Sequence, residues 1–179
     1  MVPVPRTAPP SVDVPVTLPD GRAIRLRPLL VSDEAAYRGF VATVSPRSQY
    51  YRFFTPRRVL TEREIDHFLH VDHLDRVALV ATHGADIVAV ARYDRDTEDP
   101  AAAEVAFIVR DDFQRQGIAP RLLHVLGEVA RDNGIDRLLA TVLPDNSAML
   151  KVFAATGWVT GRHFQDGAIA VTMALPEKF

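Results

Sequence analysis

Three apolar runs at residues 77–81, 87–91 and 103–109 follow one another with short polar joints, and the third leads into a glycine-opened helix. These runs are rich in valine and isoleucine and too short for helices, so they read as buried strands. His83-Gly84-Ala85-Asp86 between the first two is a hairpin signal. A joint that short admits only antiparallel neighbours, because a parallel crossover needs a dozen residues or more. The middle of the chain is therefore a sheet, and helices must cover it. At 179 residues, 47% of them hydrophobic, the chain is long enough for one compact soluble domain with a sizeable core.

The flanks supply the covering. Prolines at 3, 5, 9, 10, 15 and 19 forbid a regular helix at the start, so residues 1–14 read as a flexible tail and 15–179 as the domain. Pro19-Asp20-Gly21 marks the turn of a first hairpin. Ser32-Asp33-Glu34 caps a helix through about Val44, and Thr61 with Glu64 forms a capping box for a second helix ending near His70. Residues 45–58, dense in aromatics, read as a loop pinned to the core. Farther on, helical spacing of Leu122, Val125, Leu126 and Val129 predicts a helix over 117–132 with a C-cap at Asn133-Gly134. A strand at 138–143, a helix capped by Asp145-Asn146-Ser147 and stopped by Gly157, and a hairpin turning at Asp166-Gly167 complete the order. That order is β–α–α–β–β–β–α–β–α–β–β, an α/β (α+β) single domain with no internal repeat.

Composition removes several classes. Twenty-one Lys+Arg against 23 Asp+Glu leave a net charge of −2, which argues against a nucleic-acid partner. The absence of cysteine excludes disulfides, thiolate catalysis and thiolate metal sites. No apolar run approaches a membrane span, so a soluble, cytoplasmic protein without membrane partners is expected. His67, His70 and His73 lack the convergent carboxylates of a zinc motif, and no metal is expected.

The most informative stretch runs from Val105 to Ala119. A strand ends, a polar loop follows, and Gly117 and Ala119 open a helix whose first-turn N–H groups lack internal acceptors. Such a turn can hold an anion, although any tight strand-to-helix connection looks similar. It is neither a P-loop nor a dinucleotide fingerprint.

Gln114-Arg115-Gln116-Gly117-Ile118-Ala119 resembles the Gln/Arg-x-x-Gly-x-Gly/Ala signature of GCN5-related N-acetyltransferases, the GNAT superfamily. Downstream, Asn146 followed by a helix and the ending Gly157-Trp158 resembles the second motif of that superfamily. Ser45-Pro46-Arg47-Ser48, Tyr51-Arg52-Phe53-Phe54 and the segment around Asp72-His73 look like the catalytic domain of bacterial Pat-type protein lysine acetyltransferases. The likeness covers roughly residues 16–175. It implies a mixed, mostly antiparallel sheet of about six to seven strands with about four helices, and acetyl-CoA as cosubstrate. The implied reaction is direct transfer to an amine, a protein lysine in the Pat-type case. A small amine, a protein N-terminus, or a silent acyl-CoA-binding module are the other readings.

The resemblance also implies roles. Glu104 becomes the general base, and partial burial in an apolar strand would suit a carboxylate used as a proton acceptor; a solvated edge glutamate is the plain alternative. The main chain of Phe107, Ile108 and Val109 would pair with the pantetheine amides. The N–H groups of Gln114, Arg115, Gln116, Gly117, Ile118 and Ala119 would hold the pyrophosphate, while Pro120 lacks an N–H. Asn146 would bind the pantetheine arm, cap its helix, or both. Phe153 stands where many relatives carry a proton-donating tyrosine, so the general acid is unassigned. Arg47, Arg52, Arg57 and Arg58 form a basic cluster that is either solvated surface or a contact for the cofactor 3′-phosphate or an acidic partner. Asp94, Asp96, Glu98 and Asp99 form an acidic loop near the site.

Overall fold

A computed structural model of the chain describes residues 8–55 and 59–179. Eight strands form one sheet: β1 (Val14–Thr17), β2 (Ala23–Pro28), β3 (Arg76–His83), β4 (Asp86–Arg95), β5 (Ala102–Val109), β6 (Arg137–Val142), β7 (Val159–Gln165) and β8 (Ala168–Ala174). Their order across the sheet is β1-β2-β3-β4-β5-β6-β8-β7. Every pairing is antiparallel except β5 with β6. Among the described residues five α-helices flank it: α1 (Glu34–Thr43), α2 (Pro46–Phe53), α3 (Glu62–Leu69), α4 (Ile118–Asp132) and α5 (Ser147–Ala155).

Strand alternation sorts the core into two layers. One face of the sheet packs Val77, Leu79, Ala91 and Tyr93 against Leu122, Leu126 and Ala130 of α4 and Phe153 of α5. The other packs Ala78, Val80 and Val90 against Tyr37 and Phe40 of α1 and Ile65 and Leu69 of α3. Because β4 is covered on both sides, its residues from Ile87 to Tyr93 are all buried.

Most elements stand where periodicity and capping predict them. Thr61 caps α3 with the reciprocal Glu64 bonds, and Asp166 and Gly167 both adopt positive φ at the β7–β8 turn, as a tight hairpin requires. The strand count, eight against six to seven, and the helix count, five against about four, correct the expectation. The extra helix is α2, expected as loop. Its proline occupies the first turn, where no N–H is needed, and Ser45 caps it by accepting the N–H of Ser48 at 3.2 Å. Asp94, placed in a loop by its charge, belongs instead to β4. The first seven residues of the expected tail, and Arg57 and Arg58 of the basic cluster, lie outside the described residues. Val12 packs against the core and Val14 opens β1.

Candidate active site

The parallel ladder between β5 and β6 is three residues long. Ala102, Ala103 and Glu104 face Arg137, Leu138 and Leu139, and there the pairing stops. Beyond Glu104, β5 stays bonded to β4 as far as Val109 opposite Ala89, while β6 stays bonded to β8 as far as Val142 opposite Ile169. Each strand is thus held by its outer neighbour, and the inner edges part. The wedge between them is a cleft of about 300 Å³. Its walls include Glu104 to Phe107 of β5, Ala140 to Val142 of β6, Asn146 just before α5, Phe153 of α5, and Tyr51 of α2.

Glu104 lies at the point of parting. Its strand neighbours Ala103 and Val105 are buried, whereas Glu104 itself is exposed. The partial burial expected of it is corrected: pairing with β6 ends at Glu104, and the residue is exposed. Asp94 is its partner across the β4–β5 ladder. Arg76 holds Asp94 through an Nε bond of 3.0 Å.

At the open end of β5 the chain turns through 111–113 and reaches α4. Arg115 and Gly117 both have positive φ, 60° and 77°. This left-handed pair turns the loop into the first turn of α4, where the Ile118 and Ala119 N–H groups have no helical acceptor. A side chain at Gly117 would be strained at that φ, and its Cβ would fall 2.6 Å from Arg121 Nη1. Unpaired strand edge, cleft and free amides are contiguous along the chain, which suits an extended arm ending in an anionic group.

The loop is braced by contacts between residues far apart in sequence. Gln114 Nε2 donates to the Val109 carbonyl at 3.0 Å and to Ser48 Oγ at 3.1 Å. Ser45 and Ser48 both donate to Asp111 Oδ1, at 2.9 and 2.8 Å, clasping the start of α2 to the turn after β5. Gln116 Oε1 accepts the Asp20 N–H at 3.3 Å, and Arg22 donates to the Asp112 carbonyl while stacking on Phe113. Hence the side chains of Gln114 and Gln116 shape the turn.

Asn146 caps α5, accepting the Met149 N–H at 3.2 Å, and also lines the cleft. Phe153 is 2% exposed and meets Phe107 edge-on, with ring centroids 6.1 Å apart. It is core beneath the cleft floor. Tyr51, whose hydroxyl lies 3.3 Å from Arg47 Nη2 and 3.5 Å from Asp145 Oδ2, is a cleft residue that sequence reasoning did not single out. Only its place in the Tyr51-Arg52-Phe53-Phe54 string signalled it.

Other expected features sit apart from the cleft or are occupied. Asp96 Oδ1 accepts the Glu98 and Asp99 N–H groups, and Asp99 pairs with Arg137. His70 Nδ1 lies 2.9 Å from the Asp66 carbonyl, and His67 packs on Phe68. Burial and the neighbouring Arg76 and Arg92 hold the His67 imidazole below its ordinary pKa. Among the described residues no helix is long and apolar enough to cross a membrane, and no side-chain group is arranged to hold a metal ion.

Comparison with known proteins places this geometry. The chain is 35% identical over 150 residues to acetyltransferase Pat of Mycolicibacterium smegmatis, covering 82% of this chain and 45% of that protein. It thus spans less than half the length of that relative. The GNAT domain of S. lividans PAT superposes with a TM-score of 0.87 at 40% identity, covering 94% of this chain and all of that one. The fold is also that of yncA from Salmonella typhimurium, solved with its cofactor acetyl-CoA: TM-score 0.64, 19% identity, 87% of this chain and 94% of that one. Residues 45–158 match the model of the acetyltransferase (GNAT) family, and with Pat-like identity over most of its length the chain belongs to that family.

Proposed function

We propose that residues 15–179 form an acetyl-CoA-dependent N-acetyltransferase domain that acetylates a lysine ε-amine of a protein by direct transfer in a ternary complex. The observation that carries the reading is the parting of β5 from β6 immediately after Glu104, continuous with the free amides that open α4.

In this reading the unpaired edge of Phe107, Ile108 and Val109 bonds the pantetheine amides, Asn146 adds a contact, and the N–H groups from Arg115 to Ala119 hold the pyrophosphate, since the Gln114 N–H donates to the Asp111 carbonyl at 3.3 Å. The thioester then lies between that edge and Glu104. Glu104 takes a proton from the incoming ammonium, and the neutral nitrogen attacks the thioester carbonyl. Exposure of Glu104 on the cleft wall leaves it reachable by a lysine at the end of a flexible side chain. The C–S bond breaks as the amide forms, and the sulfur leaves as thiolate, whose acid has a pKa of about 8.5 in an ordinary thiol. Phe153 takes no part in proton transfer.

The test is thiol release from acetyl-CoA by the purified chain. Lysine peptides, peptides with a free α-amine and small amines are compared, and intact-mass analysis identifies the acetylated product. Release that depends on internal lysine supports the reading. Release with a small amine or an α-amine only moves the acceptor to that class. Binding of acetyl-CoA without release from any amine would make the chain a silent acyl-CoA-binding module.

A further inference from the structure

A second, smaller cavity lies on the α1–α2 side of β5, and Ala106, Arg52 and Phe53 line both it and the cleft. Its volume is about 30 Å³, and Tyr37, Phe68 and Ile108 are among its walls. Arg92, Arg52 and Gln49 are its polar lining residues. Arg92 is directly opposite Ala106 in the β4–β5 ladder and is 3% exposed. Its Nε and Nη2 have no hydrogen-bond partner among the described residues. Those two atoms form one edge of the guanidinium plane, the fork that matches the two oxygens of a carboxylate.

No described residue hydrogen-bonds that fork. Asp94 Oδ2 is 3.7 Å from Nε, beyond hydrogen-bond length, and Asp94 bonds Arg76 instead. The Phe68 ring lies 4.6 Å from the Arg92 guanidinium carbon. Among the described residues lining the cavity none is acidic. Burial pulls the Arg92 pKa down to about 10, so the group is still charged at neutral pH. A buried charge with an empty fork costs stability, and a chain keeps such a group where something else gains from it.

Resting on the acetyltransferase reading, we propose that this cavity receives the free carboxylate of a short dicarboxylic acyl group, making ω-carboxyacyl-CoA thioesters such as succinyl-CoA donors for the same site. The acyl chain hangs from the thioester beside Ala106, the small residue that lines both the cleft and the cavity. A space of about 30 Å³ admits a group as small as a carboxylate. The bonds made and broken are those of acetyl transfer: the amine nitrogen bonds the carbonyl carbon, the C–S bond breaks, CoA leaves as thiolate, and Glu104 takes the amine proton. The distal carboxylate passes unchanged into the product.

The test compares succinyl-CoA with butyryl-CoA, equal in chain length but uncharged, by calorimetric binding and by turnover with one lysine peptide. Succinyl-CoA should bind about 10–100-fold more tightly, the range for a charge-assisted hydrogen-bond pair. Arg92→Met should abolish that ratio, Arg92→Lys should restore part of it, and Arg92→Met without ligand should melt no lower than the natural chain. Equal affinity for the two donors, or a ratio that survives Arg92→Met, overturns the proposal. So does a lower melting temperature in Arg92→Met with the ratio unchanged, which would mark Arg92 as a structural partner of Asp94. An Arg92-dependent preference for acidic over neutral acceptor peptides with acetyl-CoA, absent among donors, also overturns it. Failure of acetyl-CoA itself to bind would instead remove the acetyltransferase reading on which the proposal stands.

Discussion

The two edges of β5 differ more than any two neighbouring regions of this molecule. Toward β4 the strand is paired along nearly its whole length, from Ala103 to Val109, and the sheet continues without a gap to β1. Toward β6 it is paired for three residues and then open. The closed edge buries Tyr93, Ala91 and Ala89 completely, whereas the open edge leaves Glu104 in solvent and a 300 Å³ cleft beyond it. Ladder bonds are concentrated on one side of a single strand and the open cleft lies on the other. Keeping β5 straight while one edge is unpaired is possible because β4 supplies the ladder bonds that β6 withholds.

That division can be broken by substitutions on either side. On the open edge, Glu104→Gln keeps shape and hydrogen bonding but removes the base, and kcat/KM should fall about 10²–10⁴-fold. Acetyl-CoA affinity and melting temperature should hardly move. Because a free lysine amine has a pKa of about 10.4, raising the pH should return part of the lost rate. Full activity of the variant at neutral pH would end the assignment of Glu104.

Gly117→Glu tests the far end of the same edge. A non-glycine residue at φ 77° costs about 1–2 kcal/mol, and its charge opposes an anion at the helix start. CoA affinity should drop about 100-fold, read by calorimetry on a variant shown to be folded by circular dichroism.

The closed side has its own signature. Arg27 donates twice to Asp33, at 2.7 and 2.8 Å, tying β2 to the start of α1, and the Leu30 N–H adds a bond of 2.9 Å. Burial by itself pushes the Asp33 carboxyl up, but the Arg27 and Leu30 bonds outweigh it and leave the pKa below its ordinary 3.8. A carboxylate with a depressed folded-state pKa stabilises above its unfolded pKa and loses that contribution as the pH falls through the folded value. Asp33→Asn should therefore cost about 1.5–3 kcal/mol at pH 7. The cost should shrink below pH 3.8, where the natural chain protonates the same group. Thermal melts of both chains across that range would show the convergence, and kcat at neutral pH should change little.

The smallest effect belongs to Phe153, which lies under the open edge but packs as core. Phe153→Leu should cost about 1 kcal/mol of stability and leave most of the turnover, since the ring carries no proton. A collapse of kcat with stability and CoA affinity intact would show a role in chemistry that packing does not explain.

What the linear chain determined was local. The period-2 and period-3.6 patterns, the Thr61–Glu64 capping box, the Asp166-Gly167 turn and the Gly117 helix start each depend on residues within a few positions of one another, and each was legible. The Gln114–Ala119 string resembles a pyrophosphate-binding loop, and it lies between the end of β5 and the start of α4. A helix at 46–53 was hidden because Pro46 reads as a breaker unless its N1 position is known. What only the tertiary structure decided depends on distant partners. The exposure of Glu104 is set by where β6 leaves β5, which β8 controls from some 65 residues away. The lack of a hydrogen bond to Arg92 Nε and Nη2 among the described residues goes with Arg76 holding Asp94 and with apolar residues of α1, α2 and α3 lining the cavity. Periodicity reports which face of a strand a side chain occupies, but only the neighbouring strands and helices determine whether that face is closed.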